Sequence, residues 1–152
     1  MFHNQAPTGR IAAIDLGRAR LGLAWTDPGQ EMALPHSVIA RLGTKRDIAK
    51  LLEIFERGQV ASVVLGVPPE SPDGLGTAHL ARQFAQALAD VWPHPVGLVD
   101  EADTTVEAHA ELRALGMRAA RRRREVDAVA AARILDRFLG GAPALAVPPQ
   151  SM

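Results

Sequence analysis

The chain has 152 residues, 47% hydrophobic and 22% charged, which is enough for one globular domain with its own core. Seventeen basic residues balance seventeen acidic ones, so net charge names no partner, and the lack of cysteine excludes disulfides and thiolate-bound zinc or iron–sulfur sites. Met1 to Arg10 carries no apolar signal core and no apolar run reaches membrane-spanning length, so a cytoplasmic protein is expected.

Arg10 to Leu16 reads as a strand ending at Gly17. Leu21, Leu23 and Trp25 alternate in the next segment, as suits a hairpin partner, and Met32 to Ile39 is a weaker third strand that Pro35 assigns to an edge. The period then changes. Ile48, Leu51, Leu52 and Phe55 form one helical face, with Thr44 as the candidate N-cap and Gly58 as the stop. Val60 to Val67 is a valine-rich, almost wholly apolar run, the pattern of a strand covered on both faces. A loop of prolines and glycines, Pro68 to Gly76, leads to a helix starting near Thr77, with Leu80, Phe84, Leu88 and Val91 inward. Pro95 to Val99 is a second buried strand, ending at Asp100-Glu101. Thr104-Thr105-Val106-Glu107 fits a capping box for a helix closed by Gly116, and a last helix runs from about Glu125 to Leu139. Residues 1–152 read as a single domain with an ordered core over about 10–140, and the proline-bearing tail, 141–152, is expected to be disordered. Three antiparallel strands followed by alternating helices and strands imply an α/β fold, a mixed five-stranded sheet with helices on both faces.

Sites in such sheets form beyond the strand ends, and acids stand there. Asp15 interrupts the apolar run Ile11-Ala12-Ala13-Ile14, Glu101 ends a buried strand, and Asp127 shares a helical face with Ala130, Ala131, Ile134 and Phe138. A lone buried carboxylate is costly, and three turned toward one small sheet suggest a cation site. Magnesium or manganese takes oxygen ligands, and such ions activate water and stabilise an in-line phosphoryl displacement. Each acid also has a plain structural role open to it. Asp15 serves as a turn residue before Gly17, Glu101 as a cap of the following helix, and Asp127 as a first-turn acid favoured by the helix dipole. His3, His36, His79, His94 and His109 are scattered, without the paired spacing zinc requires.

Between Arg113 and Arg137 eight arginines face three acids, so this stretch is net positive and the rest of the chain is net negative. Arg121, Arg122, Arg123 and Arg124 are consecutive, so they cannot share one helical face, and they suit a loop or helix entrance that grips phosphates. A solvated helical face is the competing reading of any such run.

Four short motifs in order carry a resemblance: Ile14-Asp15-Leu16-Gly17 with Arg20-Leu21-Gly22-Leu23-Ala24; Val64-Leu65-Gly66-Val67-Pro68 with Asp73-Gly74; Asp100-Glu101 with Thr104-Thr105; and Val126-Asp127-Ala128-Val129-Ala130-Ala131. From about Arg10 to Leu139 the chain resembles the RuvX/YqgF family of bacterial Holliday-junction resolvases and pre-16S ribosomal RNA nucleases. The resemblance implies a ribonuclease-H-like fold and a metal-dependent endonuclease using Mg2+ or Mn2+, with Asp15, Glu101 and Asp127 as catalytic and metal-binding acids. Arg18, Arg20, Thr104, Thr105 and Arg121 to Arg124 become the candidate nucleic-acid contacts. The family's Asp-Glu-Arg is broken here, because Ala102 and Asp103 follow Glu101. An arginine is missing and an acid has appeared, so Asp100 and Asp103 join the candidate ligands.

The expected substrate is a precursor rRNA or a four-way DNA junction. Symmetric junction cutting calls for a homodimer, for which the apolar residues around Trp92 are the candidate surface. Two other readings remain open. One is a non-catalytic RNA- or junction-binding module with vestigial acids, favoured by Ala102-Asp103. The other is an actin-like nucleotide-binding fold, suggested by Asp15-Leu16-Gly17 before a hairpin but disfavoured by a length too short for the second domain such proteins need.

Overall fold

Strand alternation along the first hairpin sorts its side chains to two faces, and that sorting organises the whole molecule. The computed structural model describes residues 8–70, 76–101 and 119–150, with the backbone alone for 119–126. Strands β1 (Arg10–Leu16) and β2 (Arg20–Thr26) pair antiparallel, and β3 (Ala33–Ala40) continues the meander as an edge strand. A register shift between Leu23 and Ala24 of β2 accommodates the β3 segment that contains Pro35. Strand β4 (Val60–Val67) lies parallel to β1, and β5 (Val96–Asp100) lies parallel to β4.

The expected sheet had five strands; among the described residues it has six, in the order β3-β2-β1-β4-β5-β6. Strand β6 (Leu145–Ala146) comes from the tail expected to be disordered. Only two residues long and set among prolines, it shows no strand periodicity, yet it pairs antiparallel with Gly97 and Leu98 of β5. Val147 N–H then donates to the Val96 carbonyl at 2.8 Å, so the tail covers an otherwise open sheet edge.

Helices cover both faces, as expected. On one face, Ile48, Leu51 and Phe55 of α1 (Thr44–Gly58) and Phe84 and Leu88 of α2 (Ala78–Val91) pack with Ile14, Leu21, Leu23, Val63 and Leu65. On the other, Ile134, Leu135 and Phe138 of α3 (Ala119–Leu139) pack with Ile11, Ala13, Val64 and Val99. Helix α3 begins at Ala119 rather than near Glu125, so the backbone of the arginine run is already helical. The predicted helix after Thr104 lies outside the described residues. Among the described residues, no helix is long and apolar enough to cross a membrane.

Three local readings are corrected. Gly43, not Thr44, precedes α1, and the end of that helix is served by Asp47, whose carboxylate accepts from Leu42 N–H at 2.9 Å. The left-handed residue closing α1 is Gln59 (φ 56°) rather than Gly58. Gly58 is required for packing, since a methyl group there would overlap the Trp25 ring. Val91 is 60% exposed, while Trp92 is only 8% exposed with its ring 5.1 Å from that of Phe55. Trp92 is thus part of the core, while Val91 beside it is exposed.

Candidate active site

The residues assigned to the α3 side of the sheet include Asp15 of β1, Gly22 of β2, Gly66 of β4 and Glu101, directly after β5. Asp15 sits opposite Gly22 in the β1–β2 ladder. Glu101 is fixed in place by its N–H, which donates to the Val67 carbonyl at 2.9 Å, and it is only 9% exposed. A methyl group on Gly66 would stand 2.9 Å from Glu101 Oε2 and would overlap Ile134. A methyl group on Gly22 would overlap the main-chain carbonyl of Asp127. Two strand glycines thus let α3 and the Glu101 carboxylate close over Asp15.

The electrostatics register this crowding. The Asp15 carboxyl is pushed from 3.8 up to about 8, first by burial, then by the negative charges of Glu101 and Asp127, and last by a hydrogen bond with Glu101. Asp127 is held from the other side, because Arg20 Nε donates to its Oδ2 at 2.7 Å. Among the described residues, no group of three or more acidic or histidine side chains is arranged to hold a metal ion as it stands. The three carboxylates are electrostatic neighbours, with two hydrogen-bonded to each other and the third turned to an arginine.

One of the plain structural readings fails: Asp127 lies well inside α3, which already includes Ala119, so the helix dipole does not account for it. Glu101 is buried beside Asp15, and the helix it was expected to cap lies outside the described residues. Asp100 is not brought to the site. It alternates to the opposite face, next to Val67 in register, and lines a groove with Arg82 and Leu98. Arg18 is exposed in the turn between β1 and β2. Asp103, Thr104 and Thr105, and the side chains of Arg121, Arg122, Arg123 and Arg124, lie outside the described residues.

Sequence reasoning missed Arg41 and Asp47. The Arg41 guanidinium donates from Nε to the Asp47 carboxylate at 2.6 Å and from Nη1 to the Gly17 carbonyl at 2.9 Å. Its backbone N–H donates to the Ala19 carbonyl at 2.9 Å, and the guanidinium lies 5.5 Å from the Phe84 ring centre. Gly17 N–H closes the turn on the Arg20 carbonyl at 2.8 Å. The turn that carries Asp15 at one end and Arg20 at the other is therefore tied to α1 through a partly buried ion pair. No periodicity marks an arginine just ahead of a helix, so this role was silent in the sequence. Gly22 and Gly66 did carry a signal, since a glycine inside a strand often marks close approach of another chain segment.

The sequence profile of the RuvX family, described as Holliday junction resolvase, matches residues 9–141. A Syntrophomonas wolfei protein is 35% identical over 87% of this chain and 94% of its own, and one from Anaeromyxobacter is 39% identical over 87% and 97%. One from Mycobacterium leprae is 41% identical over 86% of this chain and 72% of its own. All three bear the name "Putative pre-16S rRNA nuclease". Among solved structures, Thermus thermophilus RuvC in complex with a Holliday junction superposes with a TM-score of 0.57 at 20% identity, over 90% of this chain and 99% of that one. That likeness supports a ribonuclease-H-like fold. With its profile matched across the described site and its relatives aligned over most of their length, the chain belongs to the RuvX family.

Proposed function

We propose that Asp15, Glu101 and Asp127 together bind divalent ions, Mg2+ or Mn2+, for hydrolysis of phosphodiester bonds in a structured nucleic acid. Family membership supports a nuclease, acting in ribosomal RNA processing or Holliday-junction resolution. The observation that carries the metal reading is the convergence of the three carboxylates on the α3 side of the sheet, where Gly22, opposite Asp15, meets the Asp127 backbone and Gly66 makes room for Glu101. Three mutually repelling carboxylates are a set that a divalent cation would relieve, and hard ions prefer such all-oxygen sets.

Such ions supply an acidified water and neutralise the charge that builds on the phosphate oxygens. The chain's own residues do the rest. The Gly17–Arg20 turn orients Asp15, and Val67 fixes Glu101. Arg18, Arg20, Thr104, Thr105 and Arg121 to Arg124 grip the flanking backbone, and Asp103 is a further candidate ligand. Phosphate contacts position a substrate without reading its sequence, so selectivity rests on its shape. The cytoplasm, where ribosomal RNA matures, is the compartment that suits this work. A homodimer is required only if the substrate is a junction cut symmetrically.

The test offers the purified chain, with manganese, a precursor 16S rRNA fragment and a four-way DNA junction in parallel, with Asp15→Asn as control. Ion-dependent cleavage of one substrate by wild type and not by the variant supports the reading. Binding without cleavage of either, and no stabilisation by manganese, would instead favour a module that only binds nucleic acid.

A further inference from the structure

Arg20 stands where a cation is wanted. Its guanidinium pairs with Asp127 at 2.7 Å, with the arginine side chain 41% exposed and the aspartate 20% exposed, so the pair lies at the mouth of the site. Behind it, Asp15 and Glu101 are hydrogen-bonded to each other. Arg20 is the first residue of β2, and β2 is laddered to β1 on one side and β3 on the other. The side chain can therefore swing away from Asp127 without moving the sheet. A phosphate offers its planar fork a two-bond partner, and a divalent ion offers Asp127 a stronger one than a single guanidinium.

We propose that Arg20 is an exchangeable counter-cation that holds Asp127 in the ion-free protein and passes to a substrate phosphate when a divalent ion takes Asp127. Ion binding and nucleic-acid binding are then coupled through one side chain, and the coupling is reciprocal. This rests on the divalent-ion reading above and adds a control step to it. Arg20 acts here as a positioning residue in addition to its phosphate contact. Half-exposed ion pairs are weak, which keeps the exchange reversible.

The experiment is calorimetric titration of Mn2+, without nucleic acid, into the full chain as wild type, Arg20→Gln, Asp127→Asn and the double variant. Removing Arg20 should tighten Mn2+ binding by roughly three- to tenfold, the scale of an exposed ion pair. The gain should vanish when Asp127 is already Asn, since a double-mutant cycle isolates the pair. Arg20→Lys, which keeps the charge without the Nε donor, should give a smaller gain of the same sign. Unchanged or weaker binding by Arg20→Gln, with wild type binding normally, overturns the exchange and leaves the ion site standing. A gain of equal size in the Asp127→Asn background reduces the effect to charge removal and also overturns it. No Mn2+ binding by any of the four proteins removes the ion site itself.

Discussion

Gly22 and Asp127 meet backbone to backbone: the strand glycine lies so close to the helix that any side chain at 22 would overlap the Asp127 carbonyl. Because Gly22 also faces Asp15 across the hairpin, this single contact sets how near one site acid comes to another. Gly22→Ala should push α3 off the sheet. Overpacking of this kind costs roughly 1–3 kcal/mol, so the melting temperature should fall by several degrees. Cleavage should fall much further than stability, because the displaced helix carries Asp127. Thermal melts and single-turnover rates measured on the same preparation check both.

Arg41 and Asp47 should matter for two separable reasons. Asp47 is 2% exposed, and removing the partner of a buried charge costs about 3–5 kcal/mol. Arg41→Gln should therefore lower the melting temperature by about 10 °C. Pairing Arg41→Met with Asp47→Asn removes the stranded charge while keeping an acceptor for Leu42 N–H, and should recover much of that loss. The Gly17 carbonyl remains untethered in the double variant, so its cleavage rate should stay low. Recovery of stability and rate together would show that Arg41 only stabilises the fold.

The raised pKa of Asp15 has a definite consequence for the metal-free protein. Between 3.8 and about 8 the native state keeps a proton that the unfolded chain has lost. Stability from this group is thus complete below about pH 4, falls as pH rises toward 8, and is level above. Asp15→Asn carries no charge and can still donate to Glu101. It should raise the melting temperature at pH 8 by about 5 °C in chelator and flatten the decline from pH 5 to pH 8. Melting curves across that range, with and without manganese, decide it. Manganese should stabilise the wild type at pH 8 and leave the variant nearly unmoved.

The run Arg121 to Arg124 is expected to meet phosphates. Changing two of the four to glutamine should weaken substrate binding at low salt and reduce the slope of log affinity against log salt by about 1–2. An unchanged slope would assign the run to a solvated helical face.

Much of this architecture was legible because strong periodic signals coincide with buried elements. The valine-rich apolar run of β4, the alternation of β2 and the helical face of α1 each read directly onto the structure. What escaped was short or non-periodic. Strand β6 draws its order from the open edge of β5, so nothing local in Leu145–Ala146 declares it. Val91 continues the helical period of α2, but the chain turns extended at Trp92 and leaves Val91 outside while the indole goes in. In the site, Asp15, Glu101 and Asp127 were visible as acids set against apolar patterns. Their restraints were not: the Arg20 and Arg41 contacts join residues distant in sequence, and only packing brings them together.

The most direct measurement is single-turnover cleavage by Asp127→Asn, with manganese, of whichever substrate the wild type cuts, alongside its binding affinity. Loss of an ion-binding carboxylate should lower the rate by a factor on the order of 10³, with affinity for the nucleic acid changed by no more than a few fold. Cleavage by Asp127→Asn at the wild-type rate would contradict the three-carboxylate site.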